Sequence, residues 1–168
     1  IYDPKKEYTS VYMEVKKEGS NEVNTIYLNS SETTYELTNG IFPNTNYELT
    51  FKYSYLDEYN NLHSDTFDKV NITTKKPNIS LEVTRISFNT IHYLVTTDNS
   101  YPLTSATLTV LVNGEVSSSS EISINGNTTG NVSISNINEN DIIELKLTDV
   151  KSNGTIIKDL NSSYKFRY

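Results

Sequence analysis

Laid on itself at an offset of 95 to 96 residues, the chain repeats, and that repeat limits what it can fold into more than any other feature. Residues 3–19 (DPKKEYTSVYMEVKKEG) fall on 98–114 (DNSYPLTSATLTVLVNG). Each stretch runs from an acidic residue through a polar loop into an alternating strand, with Val11, Met13 and Val15 over Ala106, Leu108 and Val110. Further on, 35–39 match 132–136 and 41–51 match 137–147. There Tyr47, Leu49 and Phe51 overlie Ile143, Leu145 and Leu147, while Glu48/Glu144 and Lys52/Thr148 point the other way. A period of two places one apolar set on a core side and one polar set in water, which is a strand half-buried in a sheet. Residues 68–72 fall on 164–168, so the two copies end at the same place, and 73–78 (TTKKPN) form a short junction. The domains read as 1–76 and 77–168.

Composition agrees with strands and excludes several function classes. The apolar residues are mainly Ile, Val, Leu, Tyr and Phe, and Ala occurs once, at Ala106, so a helical protein is disfavoured. With 21 Asn, 20 Ser and 21 Thr the chain is rich in residues for loops and exposed strand faces. No Cys is present, which removes disulfide frameworks, thiolate nucleophiles and zinc–thiolate clusters. The net charge is −7, and Lys and Arg pair up only at Lys5–Lys6, Lys16–Lys17 and Lys75–Lys76, which argues against nucleic acid. No run reaches the length of a membrane helix, so no membrane insertion is expected. The first residue is Ile1 and the only Met is Met13, from which a longer parent polypeptide is expected.

Between two apolar runs, Ile41-Phe42-Pro43-Asn44-Thr45-Asn46-Tyr47 has the form apolar-x-Pro-x-Thr-x-Tyr and leads into the alternating stretch 47–55. This corner resembles the E–F corner of fibronectin type III domains. The resemblance implies that the Tyr47 hydroxyl bonds back to the corner backbone while its ring packs on the core, with Pro43 and Thr45 shaping the turn. In the second copy the corner is Ile137-Asn138-Glu139-Asn140-Asp141-Ile142-Ile143, without Pro or Tyr, which resembles immunoglobulin-like domains more broadly. The expected fold is therefore all-β, two tandem immunoglobulin-like (fibronectin type III-like) β-sandwiches. For the second domain the strands are placed at 79–86, 90–97, 105–112, 121–124, 130–136, 141–148 and 162–168. For the first they are placed at 9–15, 23–28, 33–38, 47–55 and 67–73. Nothing in the first copy corresponds to 79–97, so the first sandwich is expected to lack its two N-terminal strands. They would come from upstream sequence or from another chain.

A search for chemistry returns little. The segment Asp57-Glu58-Tyr59-Asn60-Asn61-Leu62-His63-Ser64-Asp65 is expected to be the loop between the last two strands of the first domain. It gathers carboxylates, amides, an imidazole and a Tyr, so Asp57, Glu58, Tyr59, Asn60, Asn61 and His63 form the candidate binding loop. Its spacing does not meet the EF-hand pattern, and no metal or cofactor is expected. His92, between Ile91 and Tyr93, reads as a strand residue. No G-x-S-x-G elbow occurs, and the paired carboxylates Asp57/Glu58 and Glu139/Asp141 fall in turns rather than across a cleft. No enzyme activity is expected. Tyr8, Tyr59 and Tyr101 are placed in loops, where Tyr can stack on sugars or anchor protein contacts, and 117–120 (SSSS) is placed in a flexible loop. The seven N-x-S/T sequons, at Asn29, Asn71, Asn78, Asn127, Asn131, Asn153 and Asn161, compare with about five expected by chance in so Asn-, Ser- and Thr-rich a chain, and decide nothing.

The reading that follows by analogy of fold is a non-catalytic spacer and presentation module in an extended assembly. Such tandem domains resemble those of bacteriophage tail, baseplate and head fibres and of microbial surface proteins, which implies a virion or an extracellular, cell-surface location. The implied partners are proteins of an oligomeric assembly, a homo-oligomer among them. Two further readings stand beside it: a carbohydrate-binding or adhesin module that takes a cell-surface glycan, and an accessory domain of a secreted glycosidase.

Overall fold

A computed structural model describes residues 8–29 and 34–168. The described residues contain strands and turns and no helix, and they divide into two units, 1–75 and 76–168.

The first unit is one antiparallel sheet. Its strands are β1 (Tyr8–Lys17), β2 (Val23–Leu28), β3 (Asn46–Leu56) and β4 (Leu62–Thr73), ordered β2-β1-β3-β4. Alternation sets the faces. Met13 lies opposite Ile26 on one side and Phe51 on the other, and Val15 lies opposite Leu49, which in turn faces Val70. Met13, Val15, Tyr47 and Leu49 are buried on that face, with Leu37 and Ile41 from the β2–β3 connection packed over them. Thr50 and Ser54 are buried on the opposite face, where Ser54 bonds Ser10. A bulge where Phe51 and Lys52 pair with Asp68 and Thr66 leaves Phe67 outside the ladder. Its ring turns to the apolar side, 5.9 Å from Phe51 and 6.2 Å from Tyr53.

The second unit has two sheets around one core. Its strands are β5 (Ile79–Ser87), β6 (Thr90–Thr97), β7 (Ser105–Val112), β8 (Glu115–Ser123), β9 (Thr128–Ser133), β10 (Ile142–Ser152), β11 (Thr155–Ile156) and β12 (Ser162–Arg167). One sheet runs β11-β10-β7-β8 with β12 also on β10, and the other runs β5-β6-β9. Leu81, Ile91, Tyr93 and Val95 of the three-stranded sheet meet Ala106, Leu108, Val110, Ile143, Leu145 and Leu147 of the other in a single buried cluster. The arrangement is all-β, antiparallel and sandwich-like. Tyr93 is paired with Gly130 and lays its ring on it; a Cβ built on Gly130 would collide with the Tyr93 ring and hydroxyl, so this position admits only glycine without a shift.

The strand orders β2-β1-β3-β4 and β8-β7-β10-β12 are the same, and so is the central register. Met13 faces Phe51 as Leu108 faces Leu147, and Val15 faces Leu49 as Val110 faces Leu145. The last strand differs from expectation by two residues: Ile72 faces Tyr47 as Phe166 faces Ile143, so Ile72 corresponds to Phe166 and not to Tyr168. A slip of two keeps every side chain on the same face, which is why the alternation alone did not reveal it.

Other expectations need correction. The stretch 33–38 is not a strand: residue 33 lies outside the described residues, and 34–38 carry no ladder. Its counterpart β9 is held by β6, and among the described residues no strand of the first unit does for 34–38 what β6 does for β9. Nor is 117–120 a loop; Ser118, Ser119 and Ser120 pair with Val110, Thr109 and Leu108. The overlooked signal was Asn113-Gly114, where both residues have positive φ (51° and 90°), the two-residue turn that matches strand twist and closes a β-hairpin. Asn153-Gly154 (φ 46° and 81°) does the same between β10 and β11, a hairpin not foreseen.

Candidate functional site

The candidate loop is shorter than the sequence suggested. β3 runs to Leu56 and β4 starts at Leu62, so the tip is 57–61, and His63 is a strand residue opposite Tyr55 rather than a loop residue. Ser64 and Asp65 likewise sit in β4, opposite Ser54 and Tyr53.

Asp57 organises the tip. Its Oδ1 accepts the backbone N–H groups of Tyr59 (2.9 Å) and Asn61 (2.8 Å). Its Oδ2 takes the Asn61 side-chain amide (3.1 Å) and the His63 Nε2 (2.9 Å). The backbone closes the turn as well, with Asp57 N–H donating to the Asn61 carbonyl and Asn60 N–H to the Asp57 carbonyl, both at 3.0 Å. Asn60 takes the left-handed conformation (φ 62°) that Asn tolerates better than most residues. The His63 contact first, and then the Asn61 backbone N–H, hold the Asp57 carboxyl well below the usual carboxylate range. A carboxylate saturated by its own loop has little left for a metal, and among the described residues no three His, Asp or Glu side chains gather where an ion could sit. What the tip offers is a fixed shape: Tyr59, 76% exposed, with Glu58 and Asn60 beside it.

Behind the tip runs a feature that sequence reasoning saw only in part. Tyr8, placed in a loop by the sequence, opens β1 and packs its ring at a tilt against Tyr53, centroids 4.6 Å apart. Tyr53 lies 5.9 Å from Tyr55, which stacks on the His63 ring at 5.5 Å, and Phe67 and Phe51 continue the series. The result is an aromatic strip on the apolar face of the sheet. Burial, and then the Asp65 carboxylate, push the Tyr53 phenol up. Tyr53 and Tyr55 were legible from alternation, whereas Phe67 joins them only because of the bulge.

The corner residues come together. Pro43 is buried, Thr45 Oγ1 donates to the Pro43 carbonyl (2.8 Å), and Thr45 N–H donates to Thr74 Oγ1 (3.0 Å). The Tyr47 hydroxyl accepts the Phe42 N–H (2.8 Å) and donates to the Gly40 carbonyl (3.4 Å), while its ring is 3% exposed. These residues tie the β2–β3 connection to the sheet. An open cleft of about 670 Å³ lies nearby, between the 16–21 turn and Asn46, Glu48, Asn71 and Thr73. Asn46 there already bonds Glu18 and Thr73.

The remaining candidates are structural. His92 is half-buried in β6 between Arg85 and Asn131. Asp141 caps its turn by accepting the Asn138 N–H (2.7 Å) and the Asn113 side-chain amide (2.8 Å), which hold its carboxyl low. Tyr101 lies in the loop between β6 and β7, as expected, and packs against the core of the second unit. A residue the sequence reading passed over is Phe88, at the β5–β6 tip: it is 93% exposed at φ 48°, a conformation unusual for a bulky side chain. No protein family matches this sequence, and no curated protein does. The fold and the site define the class: an all-β protein of antiparallel sheets whose polar clusters serve turns.

Proposed function

We propose that the chain is a non-catalytic spacer and presentation module, built of immunoglobulin-like units with a fibronectin type III-like first copy, in an extended assembly. A bacteriophage tail, baseplate or head fibre is the setting this reading favours, on a virion or at a cell surface, with proteins of the assembly as partners. One observation carries it: consecutive units reuse the same four-strand order and central register, with only residues 74–78 between the end of β4 and the start of β5. Reuse of one unit along a chain suits length and spacing better than chemistry. That the best-organised carboxylates, Asp57 and Asp141, are both engaged in turns supports the same reading.

Small-angle scattering tests it. An elongated particle, with a radius of gyration well above the ~15 Å of a single compact body of this length, is the expected result; a value near 15 Å overturns the spacer role. The carbohydrate-binding reading has one observation in its favour, the exposed Tyr59 on a fixed tip. It requires binding on a glycan array that Tyr59→Ala removes.

A further inference from the structure

Asn-Gly pairs occur at 39–40, 113–114, 125–126 and 153–154. Two of them, both in the second unit, build the same two-residue hairpin turn: φ is 51° and 90° at Asn113-Gly114, and 46° and 81° at Asn153-Gly154. The other two lie between strands that do not pair with each other. Equal dipeptides in equal turns isolate what their surroundings do.

The surroundings differ twice over. Asn113 is clamped by its side chain: Nδ2 donates to Asp141 Oδ1 (2.8 Å), and Oδ1 accepts the Ile142 N–H (2.9 Å). Behind it, β7 and β8 pair along their whole length, from Val112–Glu115 to Ser105–Ser123. Asn153 is exposed, and among the described residues its side-chain amide has no hydrogen-bond partner. Behind it, β11 is held to β10 only by the pairs Ser152–Thr155 and Lys151–Ile156. β10 is fixed from its other side, where the Lys151 carbonyl accepts the Thr104 N–H (2.8 Å) and its Nζ reaches Glu121 (2.9 Å), so β11 is the part that moves. Opening also brings water to the Ser152 hydroxyl, which is buried with no partner among the described residues.

We propose that Asn153 is a site of self-modification: it deamidates to aspartate and isoaspartate and thereby opens the β10–β11 hairpin, while Asn113 is protected. Hydroxide takes the proton of the Gly154 N–H, and the nitrogen attacks the Asn153 Cγ. The N–Cγ bond forms, the Cγ–Nδ2 bond breaks, and Nδ2 leaves as ammonia with a proton from water, closing a five-membered succinimide. Water then adds to one of the two ring carbonyls. Cleavage between Cγ and the Gly154 nitrogen gives aspartate; cleavage at the Asn153 carbonyl carbon gives isoaspartate, whose main chain runs through Cγ. Glycine admits the attack because no Cβ shields its nitrogen. Ring closure needs that nitrogen over Cγ, a geometry outside the hairpin turn, so the rate follows the fraction of time the turn is open. Isoaspartate lengthens the main chain of a two-residue turn and so breaks the Ser152–Thr155 register. The loss reaches the core through 157–160, where Ile157 and Leu160 are buried and the Ile157 N–H donates to the Val150 carbonyl (2.8 Å). Turn chemistry of this kind is independent of the spacer role.

The test incubates the whole unglycosylated chain in mildly alkaline buffer at body temperature and follows both turns by peptide mass and by isoaspartate-specific enzymatic methylation. Asn153 should convert about tenfold or more faster than Asn113. In urea the two rates should come together. Equal rates in the folded chain overturn the proposal, and so does a difference that survives urea, which would assign it to neighbouring residues instead of the fold. The converted chain, separated by its added negative charge, should exchange the Ile156 and Ile157 amides about tenfold faster than the fresh chain. Unchanged exchange in molecules that carry isoaspartate overturns the opening of the hairpin. Asn153→Gly keeps the turn and has no side-chain amide to lose, so this variant should show fresh-chain exchange after the same incubation. Asp141→Ala should raise conversion at Asn113 by removing its clamp, with slow exchange at Leu145 confirming that the unit is folded.

Discussion

The same four-strand order occurs twice in this molecule, once with a second layer over it and once, among the described residues, with a single connecting segment. In the second unit, Ala106, Val110, Ile143, Leu145 and Leu147 are all 0% exposed. In the first, burial stops at Met13, Val15, Tyr47 and Leu49, and the rest of that face is a partly open series of aromatic rings. The difference shows that strand order and register belong to the sheet, whereas a closed core belongs to the pair of sheets. It also accounts for the residues themselves. Aliphatic side chains fill the closed face; on the open face, Tyr and Phe shield one another and keep contact area at little cost in rotamer freedom.

The strongest way to break this comparison is to cut equivalent side chains. Leu147→Ala should cost about 2–5 kcal/mol, because it leaves a cavity under a complete second layer. Phe51→Ala, though it removes more atoms, should cost about 1 kcal/mol, because solvent already reaches the site. Denaturant unfolding read by amide probes in each unit measures both, and equal costs would mean that the first face is closed in solution.

Next in size is Gly130→Ala, expected to cost about 1–3 kcal/mol in melting experiments as the new methyl forces the Tyr93 ring off the sheet. Tyr47→Phe should cost the first unit about 1 kcal/mol through loss of the Phe42 and Gly40 bonds. The counterpart position, Ile143, has no hydroxyl to lose, so only the first unit's transition should show such an effect. Phe88→Gly runs the other way, with a gain of about 0.5–1 kcal/mol in the second unit from relief of the left-handed backbone. A loss would reveal that the exposed ring has a partner.

The smallest effect is that of acid on the two capped turns. The carboxyls of Asp57 and Asp141 are held low in the folded state, so their stabilisation is present above the unfolded value of about 4 and is lost as pH falls below it. Amide exchange at Tyr59 and Asn61 should therefore speed up, relative to the intrinsic rate, between pH 5 and the acid limit. Asp57→Asn should flatten that dependence at the 57–61 tip and leave the Asp141 turn unchanged.

Much of this was legible in the chain. Alternation placed β1, β3, β7 and β10 and assigned their buried faces, because side-chain direction follows from a period of two within a single strand. The turn of the corner is equally local, since the Thr45 bond to Pro43 and the Tyr47 bonds to Phe42 and Gly40 span at most seven residues, whereas Glu18, Thr73, Thr74 and Lys75 tie the corner to distant segments. Errors arose where the deciding partner was distant or the signal was a turn. The Ser117–Ser120 stretch became a strand because Asn113-Gly114 folds it back on β7, and His63 left the loop because Asp57 closes a tighter tip than composition suggests.

The sequence by itself determined β1, β3, β7 and β10, their faces and the repeat, since each rests on interactions between neighbours or on alternation along one segment. Tertiary structure alone decided that 34–38 are not a strand while β9 is, although both alternate. A strand acquires its backbone hydrogen bonds from another strand, and β6 supplies them to only one of the two. It also decided that Phe67 joins the aromatic strip, because a bulge changes which way a side chain points and depends on both strands of the ladder.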